Sequence, residues 1–168
     1  MRQTVIKSAM QNGLIMGGIF ALNFIFAVSQ ITILSYLSNI TPILILYITF
    51  RMVVHYRENE RKGAISYGQS LRYIVLLFFY GSLISTMSKY IYLTYLNPNL
   101  LETISQDFMR IYTAMKYSMK DYSDNQIENE LTPLNFSLMF IYMNLFIAVI
   151  VGTIMSAFVK KDKNVFEA

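Results

Sequence analysis

The sequence predicts an all-α fold: an integral membrane four-helix bundle, with an amphipathic helix on its outer face between the third and fourth spans. Three observations lead there. Four long apolar stretches cross a chain of 168 residues, and the charges fall almost entirely between them. Hydrophobic residues make up 55% and charged residues only 14%, with a mean hydropathy of +0.42; a soluble domain carries about 25% charged residues. No run of alternating polarity reads as a strand that could close a barrel. One membrane domain, 1–168, fits the length.

A spanning helix needs about 20 mostly apolar residues. Residues 8–28 supply the first span, behind Arg2 and Lys7. A second apolar stretch follows at once, which favours a retained helix over a cleaved signal peptide. Ser29, Gln30 and Thr32 form a polar turn. The second span covers 33–54 with Pro42 inside it as a kink, because starting the helix at Pro42 would leave it too short for a bilayer. His55 to Ser70 reads as a charged connection. The third span, 71–96, is long enough to require tilt and stops at Asn97 and Pro98. Thr132 as cap and Pro133 as first helical residue open the fourth, 134–159, and Lys160, Lys161 and Lys163 close it.

Basic residues gather at the N-terminus, in the connection around Arg57, Arg61 and Lys62, and at the C-terminus. The connection before the fourth span is rich in acids instead: Glu102, Asp107, Asp121, Asp124, Glu128 and Glu130. The positive-inside rule then expects a multi-pass protein with both termini cytoplasmic. In the outer segment, 99–130, Leu101, Ile104, Phe108, Ile111, Tyr112, Met115 and Met119 recur three and four apart, which predicts an amphipathic helix. Phe108 and Met115 should face the membrane and Arg110 the water.

Two stripes of small residues predict close helix packing: Gly13, Gly17 and Ala21 in the first span, and Ala148, Gly152 and Ser156 in the fourth. Small side chains let helix backbones approach. Packing within the chain is the plainer expectation, and a homo-oligomer seam the other. Polar residues in the outer half, Asn23, Asn39, Thr41, Ser85, Ser88 and Lys89, with Asn144 near the midplane, form a candidate cavity layer. Polar groups avoid lipid, so these should turn toward one another or toward water. Hydrogen bonding that only fixes packing is the plainer account of them, and snorkelling to the surface is the plainer fate for Lys89. His55 alone is a poor metal ligand set. Tyr90, Tyr92, Tyr95, Tyr112, Tyr117 and Tyr122 suit an interfacial aromatic belt.

No catalytic constellation, metal cluster, nucleotide loop or haem motif appears, so the sequence predicts no enzyme and no cofactor. Cysteine is absent, which removes thiol chemistry. The pI near 9.2 is accounted for by basic helix flanks, and no basic-aromatic surface for nucleic acid is seen.

The stretch from Tyr56 to Ser70, YRENERKGAISYGQS, resembles the central signature of a bacterial membrane family known as domain of unknown function family 4199. There a tyrosine-arginine pair ends the second helix. A charged turn with glycine follows, then an aliphatic-hydroxyl-aromatic-glycine run enters the third helix. Two positions depart: Lys62 stands where the family has the first of two glycines, and Leu71 where phenylalanine is common. The resemblance implies a membrane protein of unknown activity, in the cytoplasmic (inner) membrane of a bacterium. Family members are encoded beside a membrane glycosyltransferase acting on polyprenyl-phosphate carriers, which suggests a partner. Gly63 and Gly68 are expected to supply special backbone conformations, and Ile65 and Tyr67 to dip onto the bundle. The loop, with Tyr56 and Arg57, is a structural hairpin or a docking surface.

Two functions from different classes therefore stand open. One is an accessory or scaffold subunit that binds another membrane component. The other is a small transporter or lipid-handling protein using the outer polar cavity.

Overall fold

In a computed structural model, residues 2–104, 106 and 132–161 are described. Among them α1 runs Arg2–Val28, α2 Thr32–Glu60, α3 Tyr67–Ile91 and α4 Pro133–Val159. A π-helical turn, Tyr92–Leu96, extends α3. All four helices are long and apolar enough to cross a membrane. The chain is thus an all-α bundle of membrane-length helices. Residues 99–104 begin a helix where the outer amphipathic segment was expected, but most of that segment, including Phe108, Arg110 and Met115, lies outside the described residues.

Helix ends follow local chemistry. Ser29 Oγ accepts the Ile31 N–H at 3.2 Å in the short α1–α2 turn. Thr132 Oγ1 accepts the Asn135 N–H at 3.2 Å and caps α4 as expected. Pro42 lies inside an uninterrupted α2. The connection proposed for His55 to Ser70 is shorter than the sequence suggested. Helix α2 continues to Glu60 and α3 starts at Tyr67, because charged residues at a helix end leave no apolar periodicity to read yet do not break a helix. Gln69 Oε1 accepts the Ser66 N–H at 3.1 Å and caps the start of α3.

The remaining turn needs two left-handed residues. Lys62 has φ 55° and Gly63 φ 79°. Of the two, Lys62 is the strained one, since a Cβ in this region costs roughly 1 kcal/mol. Lys62→Gly should therefore raise stability by up to about 1 kcal/mol, read as a higher melting temperature in detergent. An unchanged or lower melting temperature would contradict the strain argument.

The helices contribute to two compact units, residues 1–85 with 141–168 and residues 86–140. In the first, the core joins Met16 and Phe20 of α1, Val53 and Tyr56 of α2, Tyr73, Ile74, Leu77 and Phe78 of α3, and Ala148 and Val159 of α4. Of the four helices α3 is the most enclosed. Its membrane-length window is 44% buried, against 28% for α1 and 11% for both α2 and α4. Helix α1 packs along α2 as well as on α3, and α2 and α4 leave most of their membrane-length windows unburied.

The glycines say how closely. A Cβ built on Gly13 would lie 2.6 Å from Tyr80 Cβ, and one on Gly17 would lie 2.7 Å from Ile84 Cβ and 2.8 Å from the Gly81 carbonyl oxygen. Backbone therefore packs on backbone where α1 meets α3. Residues 13 and 17 meet progressively later positions of α3, so the two helices run parallel and start at the same end. A Cβ on Gly152 would lie 2.8 Å from Leu71 Cδ1. Ala148 and Ser156 are fully buried beside it, while Ala21 is only half-buried.

Candidate functional site

The signature stretch builds a clasp at the end where α1 and α3 begin. Arg57, in the last turn of α2, donates from Nη1 to the Val159 carbonyl at 3.0 Å, across 102 residues of sequence. The last carbonyls of a helix lack partners within it and carry its negative dipole end, which suits a guanidinium. Glu58 pairs with the same arginine at 2.7 Å. Beyond the turn, Ile65 and Lys161 exchange both backbone hydrogen bonds, at 2.9 and 3.0 Å, as an isolated antiparallel pair. The end of α2, the start of α3 and the end of α4 are thereby tied together.

Beneath the clasp lies a layer of buried polar groups. Tyr56 and Tyr73 stack with ring centroids 4.3 Å apart and planes within 10°. Asn12 Nδ2 donates to Tyr73 Oη at 2.7 Å, and Ser8 is a second hydrogen-bond neighbour of that hydroxyl. The hydroxyls of Tyr56, Ser70 and Ser156 are buried with no protein partner. Burying a hydroxyl without a hydrogen bond costs about 1–3 kcal/mol. Tyr56→Phe keeps the stack and removes that cost, so it should hold or raise the melting temperature, whereas Tyr56→Ala should lower stability by about 3–5 kcal/mol. If Tyr56→Phe destabilised as much as Tyr56→Ala, the hydroxyl rather than the ring would be what matters.

The loop residues expected to dock divide in two. Tyr56, Arg57, Gly63 and Ile65 all take part in the clasp, and Ile65 is 1% exposed. Tyr67 and Gly68 do not. Tyr67, the first residue of α3, is exposed. Gly68 is an ordinary helical residue with nothing within 4 Å of a built Cβ. Its expected conformational role is withdrawn, since the turn is completed at Lys62 and Gly63. His55 is exposed and meets Asn59 Nδ2 at 2.9 Å. Among the described residues no group of three or more metal-ligating side chains occurs.

The outer polar layer is less convergent than the sequence suggested. Asn39 donates to the Ser35 carbonyl at 3.0 Å and Thr41 to the Leu37 carbonyl at 2.8 Å, so each is satisfied on its own helix. That i to i−4 bond is open to any helical hydroxyl or amide and needs no polar neighbour. Ser85 and one oxygen of Asn23 are buried without a protein partner. Asn144 is half-buried. In the second unit Thr86 donates to the Ser137 carbonyl at 3.2 Å. Ser88 is half-buried there. Lys89 does not snorkel. It is 4% exposed, and its Nζ lies 3.6 Å from the Phe140 ring centroid, within cation–π range.

Several contacts were not anticipated from the sequence. The groove that receives Gly17 is floored by Gly81 of α3, and the pair Gly81 and Ser85, four apart, was the signal for it. The Asn12–Tyr73 and Arg57–Val159 bonds join distant positions, and no local pattern announces them.

Four membrane-length helices, with the ends of α2 and α4 and the start of α3 clasped together, define a multi-pass membrane protein. The chain belongs to the family described as "Protein of unknown function (DUF4199)", whose model matches residues 11–161. No curated protein and no solved structure matches it.

Proposed function

We propose that this protein is an accessory or scaffold subunit, binding another membrane component through the uncovered faces of α2 and α4. The observation that carries this reading is the division of labour within the chain. The polar groups of the signature stretch are spent on joining helix ends, while α2 and α4 are each only 11% buried along their membrane windows. On α4, Tyr142, Phe146 and Phe158 are 74%, 66% and 77% exposed. Large aromatic side chains are favoured as anchors in protein contacts. No catalytic step is assigned to the chain. The family resemblance suggests a polyprenyl-phosphate glycosyltransferase as the partner, and a second copy is the other candidate.

A photo-crosslinking residue at Phe146, activated in native membranes, tests the reading. A discrete protein adduct, lost when the residue is moved to the buried Ala148, is the expected result. Adducts to lipid alone would overturn it and favour the second reading, a lipid-handling protein. That second reading draws on the buried, unpartnered groups of Asn23 and Ser85.

We also place the clasped end in the cytoplasm, since basic residues cluster there. Cysteines introduced at Lys62 and Lys116 report on this with an impermeant reagent. Labelling at Lys116 and protection at Lys62 is expected in intact cells, with any outer membrane permeabilised; the reverse pattern would invert the topology.

A further inference from the structure

The clasp has a consequence for charge. By pairing Ile65 with Lys161, it lays the chain leaving α4 against the chain entering α3. Arg61 and Lys62 from one segment, and Lys160 and Lys161 from the other, are thereby held at one end of the bundle. Lys62, Lys160 and Lys161 are exposed and Arg61 is half-buried. Their backbones are fixed, Lys62 by its left-handed turn and Lys161 by two hydrogen bonds. Among the described residues the nearest acids in sequence are Glu58, engaged by Arg57, and Glu60; Asp162 follows Lys161 in the sequence. The result is a preorganised cationic ledge directly beyond the ends of α2 and α4.

We propose that this ledge binds the phosphates of anionic phospholipid headgroups. Its position decides the occupant. Residues 61 and 62 follow one membrane-length helix and 160 and 161 follow another, and Lys160 comes directly after the apolar Val159, so a bilayer crossed by these helices puts the ledge at headgroup level. Charge complementarity does the rest. Each lysine or arginine near an anionic surface contributes about five-fold in affinity, and Lys62 and Lys161 stand on backbone that the turn and the Ile65 pair already order. The inference stands apart from the accessory reading, since a headgroup can dock with or without a protein partner.

The test reconstitutes the full chain into vesicles of equal phosphatidylglycerol and phosphatidylcholine, extracts it in mild detergent, and measures the lipid that stays bound. The wild type should retain phosphatidylglycerol in preference. The variant K62Q/K160Q/K161Q should lower that preference about ten-fold or more, and K62R/K160R/K161R should keep it. K7Q/R72Q, which neutralises two cations at the same end but outside the ledge, should lose measurably less of it. A wild type without preference, an unchanged glutamine variant, or an equal loss in K7Q/R72Q would overturn the proposal. Salt decides the matter even if the glutamine variant fails to fold. Between 0.15 M and 1 M salt the screening length falls from about 8 to 3 Å, so the wild-type preference must shrink, and a salt-insensitive preference contradicts the ledge.

Discussion

Gly17→Leu should separate α1 from α3 and abolish the stable bundle, while Gly18→Leu, one residue away, should be tolerated. The contrast is set by what each position faces. A Cβ at residue 17 would meet Ile84 Cβ at 2.7 Å and the Gly81 carbonyl oxygen at 2.8 Å, and backbone cannot rotate aside as a side-chain tip can. At residue 18 nothing lies within 4 Å. Overpacking costs about 1–3 kcal/mol where neighbours can move, and the rigid contact at Gly17 puts the expected loss at about 3 kcal/mol or more. Thermal unfolding in detergent, compared between the two variants, reads it directly. Similar melting temperatures for both would mean that α1 does not pack on α3 through this face.

The second large effect is expected at Arg57. Arg57→Met removes the donor to the Val159 carbonyl while keeping much of the apolar stem. A hydrogen bond from a charged group is worth about 1.5–3 kcal/mol, and the carbonyl it leaves has no partner within its own helix. The loss should be local as well as global. Hydrogen exchange at the amides of Lys160 and Lys161 should accelerate, since the end of α4 would then hang on the Ile65 pair alone. Arg57→Lys should recover part of the protection, because an ammonium is a point donor and cannot serve Val159 and Glu58 with the same fork. Unchanged exchange at Lys160 and Lys161 in Arg57→Met would show that the arginine does not tie the two helices.

These positions also show what the sequence could and could not convey. The spans were legible because a bilayer demands about 20 apolar residues in a row, and such runs have no other common explanation. Gly13, Gly17 and Gly152 were legible as contact points, since a small residue repeated every four positions lies on one helix face. The true end of α2 was not, because from His55 to Glu60 the helix leaves the apolar layer and its side chains follow no periodic pattern. The partner of Arg57 is 102 residues away, and no spacing rule reaches that far. Asn39 and Thr41 misled for another reason: a polar residue in a span signals a need for a hydrogen bond but not where it is met, and both meet it on their own backbone. Lys89 likewise gives no sign in sequence of whether it turns outward or, as here, back over Phe140.

The clasp joins the family's signature stretch to the end of α4, and the pairing of Ile65 with Lys161 is its most exposed claim to measurement. A hydrogen-bonded antiparallel pair holds its Cα atoms about 5.5 Å apart, inside the roughly 4.4–6.8 Å span of a disulfide. The chain contains no cysteine, so a crosslink between two introduced ones is unambiguous. The double variant I65C/K161C, oxidised in native membranes and then cleaved by protease between the third and fourth helices, should hold its two fragments together until reductant is added. The single variants should not. Fragments of I65C/K161C that part without reductant would show that the end of α4 does not lie against the signature turn.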